Sequence, residues 1–401
     1  MRLRQELIDA IVAYVERGIN LINLLCASRT VFSSQVLRSL RHVFVHLSTD
    51  DAYRLLIDLL EDHPAALSQI RLLEISLELY TENIPEWLGL PALLDACTGI
   101  RVLRICVGHC REWVQQFPQM HRQALYRCMQ LPTLEELHFD WTSFDAAAIN
   151  ELRALALPPA LRHVSARRLR AAPAARDSLG LVVFFERLLG RDNALAIESF
   201  KCDRESVAAG MLLFRAREGY SGRKLRTLDL TIDNSPADEG KPSDVQPQTL
   251  LIANPQLEHF VLRIEHWPLP APCDLSGNKA LRTLTIDFPR WRESGYAGFV
   301  AGILRSISEG GRRNLERFEF IGQRSAANEP ERGDYWPSID VALSRFEELK
   351  VVTVRLTFPP RENERANSTC VEEWEKAQII AAVESSMRET YGRGILQVTF
   401  G

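Results

Sequence analysis

The chain has 401 residues, 46 % hydrophobic and 25 % charged, the balance of a folded globular protein. Its 48 Lys and Arg against 52 Asp and Glu leave a formal charge of −4, which argues against a nucleic-acid binder that works through a bulk basic field. No run of about 18 apolar residues occurs, so no membrane span is expected, and the opening Met-Arg-Leu-Arg-Gln-Glu-Leu lacks the apolar stretch of a secretory signal.

In chain order, the first 47 residues read as helices. Leu3, Leu7, Ile8, Ile11, Val12 and Val15 recur at helical spacing, with Glu6, Asp9 and Glu16 on the opposite face. Gly18 and Asn20 mark a stop, a second helical run opens at Ile19, and a third covers Ser33 to His42. Val43 to Leu47 then reads as a first strand.

From Ile70 onward one six-residue phrase recurs eleven times, with apolar residues at its first, fourth and sixth positions. The copies begin at Ile70, Ile100, Leu134, Leu161, Ile197 and Leu225, then at Leu257, Leu281, Leu315, Leu349 and Ile395. The steps between starts are 30, 34, 27, 36, 28, 32, 24, 34, 34 and 46 residues. A repeat at this period signals a solenoid, in which each unit buries its apolar face only by stacking on its neighbours. The phrase L-x-x-L-x-L resembles the core of a leucine-rich repeat, without the Asn or Cys that usually follows. Helical patterns lie between copies at 88–96, 111–129, 145–155, 179–189, 206–217, 296–308 and 336–346. The expected fold is therefore α/β: an irregular solenoid, a horseshoe with parallel strands on its concave face and helices outside. Its expected extent is 48–401. The stretches 235–247 and 324–334 read as surface loops. A long helix from about Cys370 to Tyr391, with Val371, Trp374, Ala377, Ile380, Ala381 and Val383 as its apolar stripe, is expected to close the stack together with the last strand.

Residues 1–47 resemble an F-box of the type found in F-box-like fungal proteins. The resemblance is carried by Leu3-x-x-Glu6-Leu7-Ile8-x-x-Ile11, by Leu24-Leu25-Cys26-Ala27-Ser28-Arg29, and by Phe32, Arg38 and Leu40. Arg4 stands where that family usually has proline, and Phe32 where it often has Trp. F-box proteins with leucine-rich repeats are a known pairing. The resemblance implies a non-catalytic substrate receptor of a Skp–cullin–F-box ubiquitin ligase, cytoplasmic or nuclear, in which Leu3, Leu7, Ile8, Ile11 and Leu25 dock the Skp-family adaptor. The alternative is a repeat scaffold with a vestigial F-box and no ubiquitin role.

Chemistry-bearing motifs are few. Glu309-Gly-Gly311 lacks the Lys and hydroxyl of a phosphate loop, and no Gly-x-Ser-x-Gly elbow is present. Cys106, His109 and Cys110, with His121 and Cys128 downstream, lack the paired spacing of a structural zinc site. Without a secretory route the eight cysteines read as reduced, mostly core residues. The basic run from Arg162 to Arg176 has no interleaved aromatics to stack bases and reads as a solvated edge loop. No cofactor, metal, catalytic residue, nucleic acid or membrane is expected. Alternation along each strand instead places positions three, five and seven outside the core. These positions include Glu136, His138, Asp140, His163, Arg167, Lys201 and Asp203, then Asp229, His259, Arg263, Asp287, Arg317, Glu319 and Arg355. Patches of both signs fit an unidentified protein substrate better than a polyanion.

Overall fold

The computed structural model describes residues 44–47, 64–76, 88–106, 117–140, 158–167, 197–203, 225–232, 247–265, 271–291, 296–311, 314–324, 336–357 and 369–400, with a few short or isolated positions between them. Leu3, Leu7, Ile8, Ile11 and Leu25, the residues expected to dock an adaptor, lie outside the described residues. So do the expected helices 179–189 and 206–217 and nearly all of 145–155. The chain divides into two compact units, the boundary falling inside one strand between Phe200 and Lys201.

In the first unit the strands are β1 (Phe44–Leu47), β2 (Leu72–Ser76), β3 (Val102–Cys106), β4 (Glu136–Asp140) and β6 (His163–Arg167), with the two-residue β5 (Ser143–Phe144) between the last two. β1, β2, β3, β4 and β6 pair in sequence order and all parallel. β7 (Arg170–Ala171) pairs β5 in a separate two-stranded ribbon, so this part of the expected basic loop is strand. The helices are α1 (Pro64–Leu67), α2 (Leu90–Ala96) and α3 (Gln119–Met129), and α2 packs on α3. β8 (Ser199–Asp203) spans the boundary.

In the second unit β9 (Thr227–Ile232), β10 (His259–Ile264), β11 (Thr283–Trp291), β12 (Arg317–Arg324), β13 (Val351–Thr357) and β14 (Leu396–Phe400) again pair in order and parallel. Its helices are α4 (Pro247–Ala253), α5 (Tyr296–Glu309), α6 (Trp336–Leu343), α7 (Thr369–Ser386) and α8 (Arg388–Gly392). The sequence pattern does not mark α4, whose seven residues hold only two enclosed leucines, Leu250 and Leu251.

The repeat phrase sets the register. Position three meets position three from Leu72 to Val102, Glu136 and His163, and again from Thr227 to His259, Thr283, Arg317 and Val351. Six of the repeat strands are entered through a tight turn, as in Leu134 N–H to Leu131 C=O at 3.0 Å and Leu257 N–H to Asn254 C=O at 3.2 Å. The carbonyl of position two then accepts two N–H groups of the following repeat: Arg282 C=O takes those of Glu316 and Arg317 at 2.8 and 3.0 Å. Buried asparagines brace these turns in the second unit, where Asn278 Nδ2 donates to the carbonyls of Leu251 and Asn254 at 3.0 and 2.7 Å.

In the first ten copies, positions one, four and six are all 4 % exposed or less. Phe288, Phe320 and Trp336 extend this core, with ring centroids 5.7 Å apart for Phe288–Phe320 and 5.4 Å for Phe320–Trp336. The eleventh copy departs from the expectation. Val354, at position six, pairs with Val398, at position four, so β14 sits two residues out of phase. Period-two alternation keeps the side chains on the expected faces despite the shift. Ile395, Val398 and Phe400 are nevertheless only half-buried.

The expected closing helix is also two helices. Met387 (φ −105°, ψ 57°) interrupts it, and α8 restarts with its amino end on Asp340 of α6. The Asp340 carboxylate accepts the N–H groups of Glu389 and Thr390 at 2.8 and 3.0 Å and the Thr390 hydroxyl at 2.6 Å. It thereby does from a distance what a capping side chain does locally. The expected apolar stripe is overturned in part: Val383 is buried, but Trp374 is 61 % exposed and Ala377 and Ala381 are exposed. The packing that holds this end runs through Val383, Met387 and the Asp340 clasp instead.

Leu228 and Leu284 occupy position four of adjacent-but-one strands at 0 % exposure. Truncating either to Ala should cost roughly 2–5 kcal/mol, read as a lowered denaturant midpoint. Wild-type unfolding curves for both variants would contradict this register.

Candidate recognition face on the strands

Strand alternation turns positions three, five and seven away from the apolar core, and in-phase pairing places the same positions of neighbouring repeats side by side. The second unit carries most of the charge. Lys201 Nζ lies 2.8 Å from Asp229 Oδ2, and Arg263 reaches the same carboxylate through Nε and Nη2 at 3.3 and 3.4 Å. The third nitrogen of that guanidinium, Nη1, lies 3.6 Å from Asp287 Oδ2. Arg263 therefore bridges two carboxylates whose side chains are each only 15 % exposed. Further along, Arg355 Nη2 is 2.9 Å from Glu319 Oε1, and Thr285 Oγ1 donates to Glu319 Oε2 at 3.4 Å.

These contacts sort the expected partner-binding residues. Lys201, Asp229 and Arg263 are joined in one network and Glu319 pairs with Arg355, so these charges serve the fold at least as much as any partner. Asp203 is buried rather than solvent-facing, a correction to the simple alternation rule. Thr231 at the same strand position is also buried, and its hydroxyl makes no hydrogen bond among the described residues. Arg263, expected to stand free of the fold, is half-buried and belongs to it. Arg317 alone matches the expectation of an exposed, uncommitted cation: among the described residues no carboxylate lies within ion-pair distance of it.

The first unit carries ion pairs on this face as well. Arg104 Nη1 lies 3.7 Å from Glu74 Oε2, and His138 Nε2 lies 3.3 Å from Glu136 Oε2 on its own strand. Asp140, His163 and Arg167 are half-buried, and Arg167 Nε is enclosed without a hydrogen-bond partner among the described residues. On the helix side the sequence did not single out Arg122, which is buried and forks onto Glu151 with two 2.8 Å contacts while Tyr126 donates to the same carboxylate at 2.8 Å. The Arg122 guanidinium, against the opposing cost of burial, holds the Glu151 carboxyl below its ordinary range.

Four buried thiols, Cys97, Cys128, Cys202 and Cys273, are unreactive by environment. Burial pushes Cys128 and Cys273 up to about 12 and raises Cys97 and Cys202 as well. Among the described residues no group of three or more His, Cys, Asp or Glu side chains is placed to hold a metal ion, and no helix is long and apolar enough to cross a membrane.

Burial raises the Asp287 carboxyl above its ordinary range, and Arg263 pulls in the opposite direction. A raised folded-state pKa contributes stability that is full below the unfolded value and is lost as pH rises through the folded one. Arg263→Gln should move the Asp287 titration further upward, measured by NMR, and deepen the loss of stability as pH rises toward neutrality. An unmoved Asp287 midpoint would show that the ion pair exerts no hold.

A scan against protein-family models and a search of curated proteins both found no match to this chain.

Proposed function

We propose that this chain is a non-catalytic protein-binding scaffold of the leucine-rich-repeat type, which presents an open strand face to a protein partner. The observation that carries this reading is the strand unit repeated in register with its polar positions turned away from the core, where charges of both signs are displayed. Such a face offers a large area of mixed charge, the chemistry of a protein–protein surface. Arg317 and Arg355, both exposed cations on it, would contact carboxylates of the partner.

The F-box resemblance of residues 1–47 gives the scaffold a role: the substrate receptor of a Skp–cullin–F-box ubiquitin ligase, working in the cytoplasm or nucleus. Apolar Leu3, Leu7, Ile8, Ile11 and Leu25 would seat the Skp-family adaptor, the strand face would hold the substrate, and the cullin ligase core would supply the chemistry. Arg4 in place of the usual proline favours a second reading, in which the scaffold binds partners without ligase traffic.

One paired pull-down separates these readings. Under the ligase reading wild-type protein recovers a Skp-family adaptor, Leu7→Asp abolishes that recovery, and Arg317→Glu leaves it intact while depleting a second set of partners. Retention of partners with no adaptor supports the plain scaffold. Recovery of the same proteins by Arg317→Glu and wild type would remove the substrate site from this face.

A further inference from the structure

The apolar phrase recurs in every repeat, and within each unit the peptide ladder joins the first ten copies in the same register. Neither can tell a repeat's own neighbour from the next but one. A chain of near-identical strands therefore faces a pairing hazard during folding, in which a repeat is skipped and the stack closes wrongly.

Position two of the phrase is where neighbours differ. From Arg101 to Lys350 it alternates without a break between a basic residue and Glu. Within the first unit Arg101 Nη1 lies 3.4 Å from Glu135 Oε1, and Arg162 Nη1 lies 3.6 Å from Glu198 Oε1. Within the second, Arg226 and Arg282 lie 3.8 Å from Glu258 and Glu316, and Lys350 lies 3.0 Å from Glu316. These side chains are largely solvated, so each contact adds little stability.

We propose that this row is a pairing code: charge assigns each repeat to its sequence neighbour and repels the repeat one place further on, which always carries the same sign. Skipping Glu258 would set Arg226 against Arg282, and skipping Arg282 would set Glu258 against Glu316. At these separations, exchanging attraction for repulsion shifts a pairing preference by on the order of tenfold per contact. Arg71, the one basic residue that would put two like charges in succession, is held elsewhere. Its Nη1 donates to the carbonyls of Ser68 and Gly99 at 3.0 and 2.6 Å. The space it occupies exists because Gly99 has no side chain: a Cβ there would collide with Nη1.

The code is independent of any partner, and refolding of the full chain tests it. The fraction recovered with the native hydrogen-exchange pattern is measured at about 10 mM salt, where charges act over about 30 Å, and at about 1 M, where they act over about 3 Å. One variant carries Gln at every position of the row from 101 to 350, and a second carries the whole row inverted in sign. The neutral row should keep a denaturant midpoint close to wild type yet lose several-fold in recovered fraction at low salt. The inverted row should refold like wild type, and wild type should fall to the neutral level at high salt. A neutral row that refolds as well as wild type, or an inverted row that refolds as poorly as the neutral one, overturns the code. Glu258→Lys offers the same test with one change: it should lose more recovered fraction than Glu258→Gln, and equal losses would count against the proposal.

Discussion

No repeat in this chain can enclose its own apolar side chains. A six-residue strand phrase offers three of them on one face, and a lone strand with one helix above it leaves their flanks in water. Enclosure comes from the strands on either side. In the first ten copies the triad is sealed, whereas Ile395, Val398 and Phe400 of the eleventh, which among the described strands pair only β13, stay half-buried. The sequence pattern is the same in both cases, so the difference lies in the neighbours. Stability in such a stack is a sum over interfaces, and each strand is only as secure as those beside it.

In-phase pairing brings a second constraint. Strands about 4.8 Å apart place equal positions of successive repeats in contact, so the charges on the open face meet one another before they meet anything else. Lys201, Asp229, Arg263 and Asp287 show the outcome, each cation lodged against a carboxylate of a neighbouring strand. Arg317 escapes because its register partners are Thr283 and Val351, neither of which can neutralise it.

The strands were open to reading because a triad at fixed spacing, repeated eleven times, has one economical explanation: Leu225, Leu228 and Leu230 are buried as their pattern requires. The helices were less so. The stripe from Val371 to Val383 reads as one buried face, yet Trp374 is exposed, because which face of a terminal helix is covered depends on what packs there rather than on its own periodicity. The break at Met387 was hidden for a related reason. The carboxylate that receives the restarted helix, Asp340, lies about fifty residues earlier in the chain, where no local capping pattern can reveal it. On the open face, alternation gave direction correctly but not depth: Asp203 and Arg317 sit at outward positions alike, and only one of them reaches water.

That distinction of depth changes how charge on this face is to be interrogated. Arg263 and Arg317 are the same residue on the same side of nearby strands, and by sequence they are interchangeable candidates for a partner's carboxylate. Replacing Arg263 by Glu would set a third carboxylate between Asp229 and Asp287, both largely withdrawn from solvent, and lost binding would then report lost structure. At Arg317 the register partners Thr283 and Val351 are uncharged, so a reversed charge meets no carboxylate directly across the sheet and only the solvated Glu316 beside it in the chain feels the change. A change in binding there reports the partner more directly than one at Arg263. The physical test of a recognition residue on a stacked sheet is thus what stands beside it on the two adjoining strands, and only then its own charge.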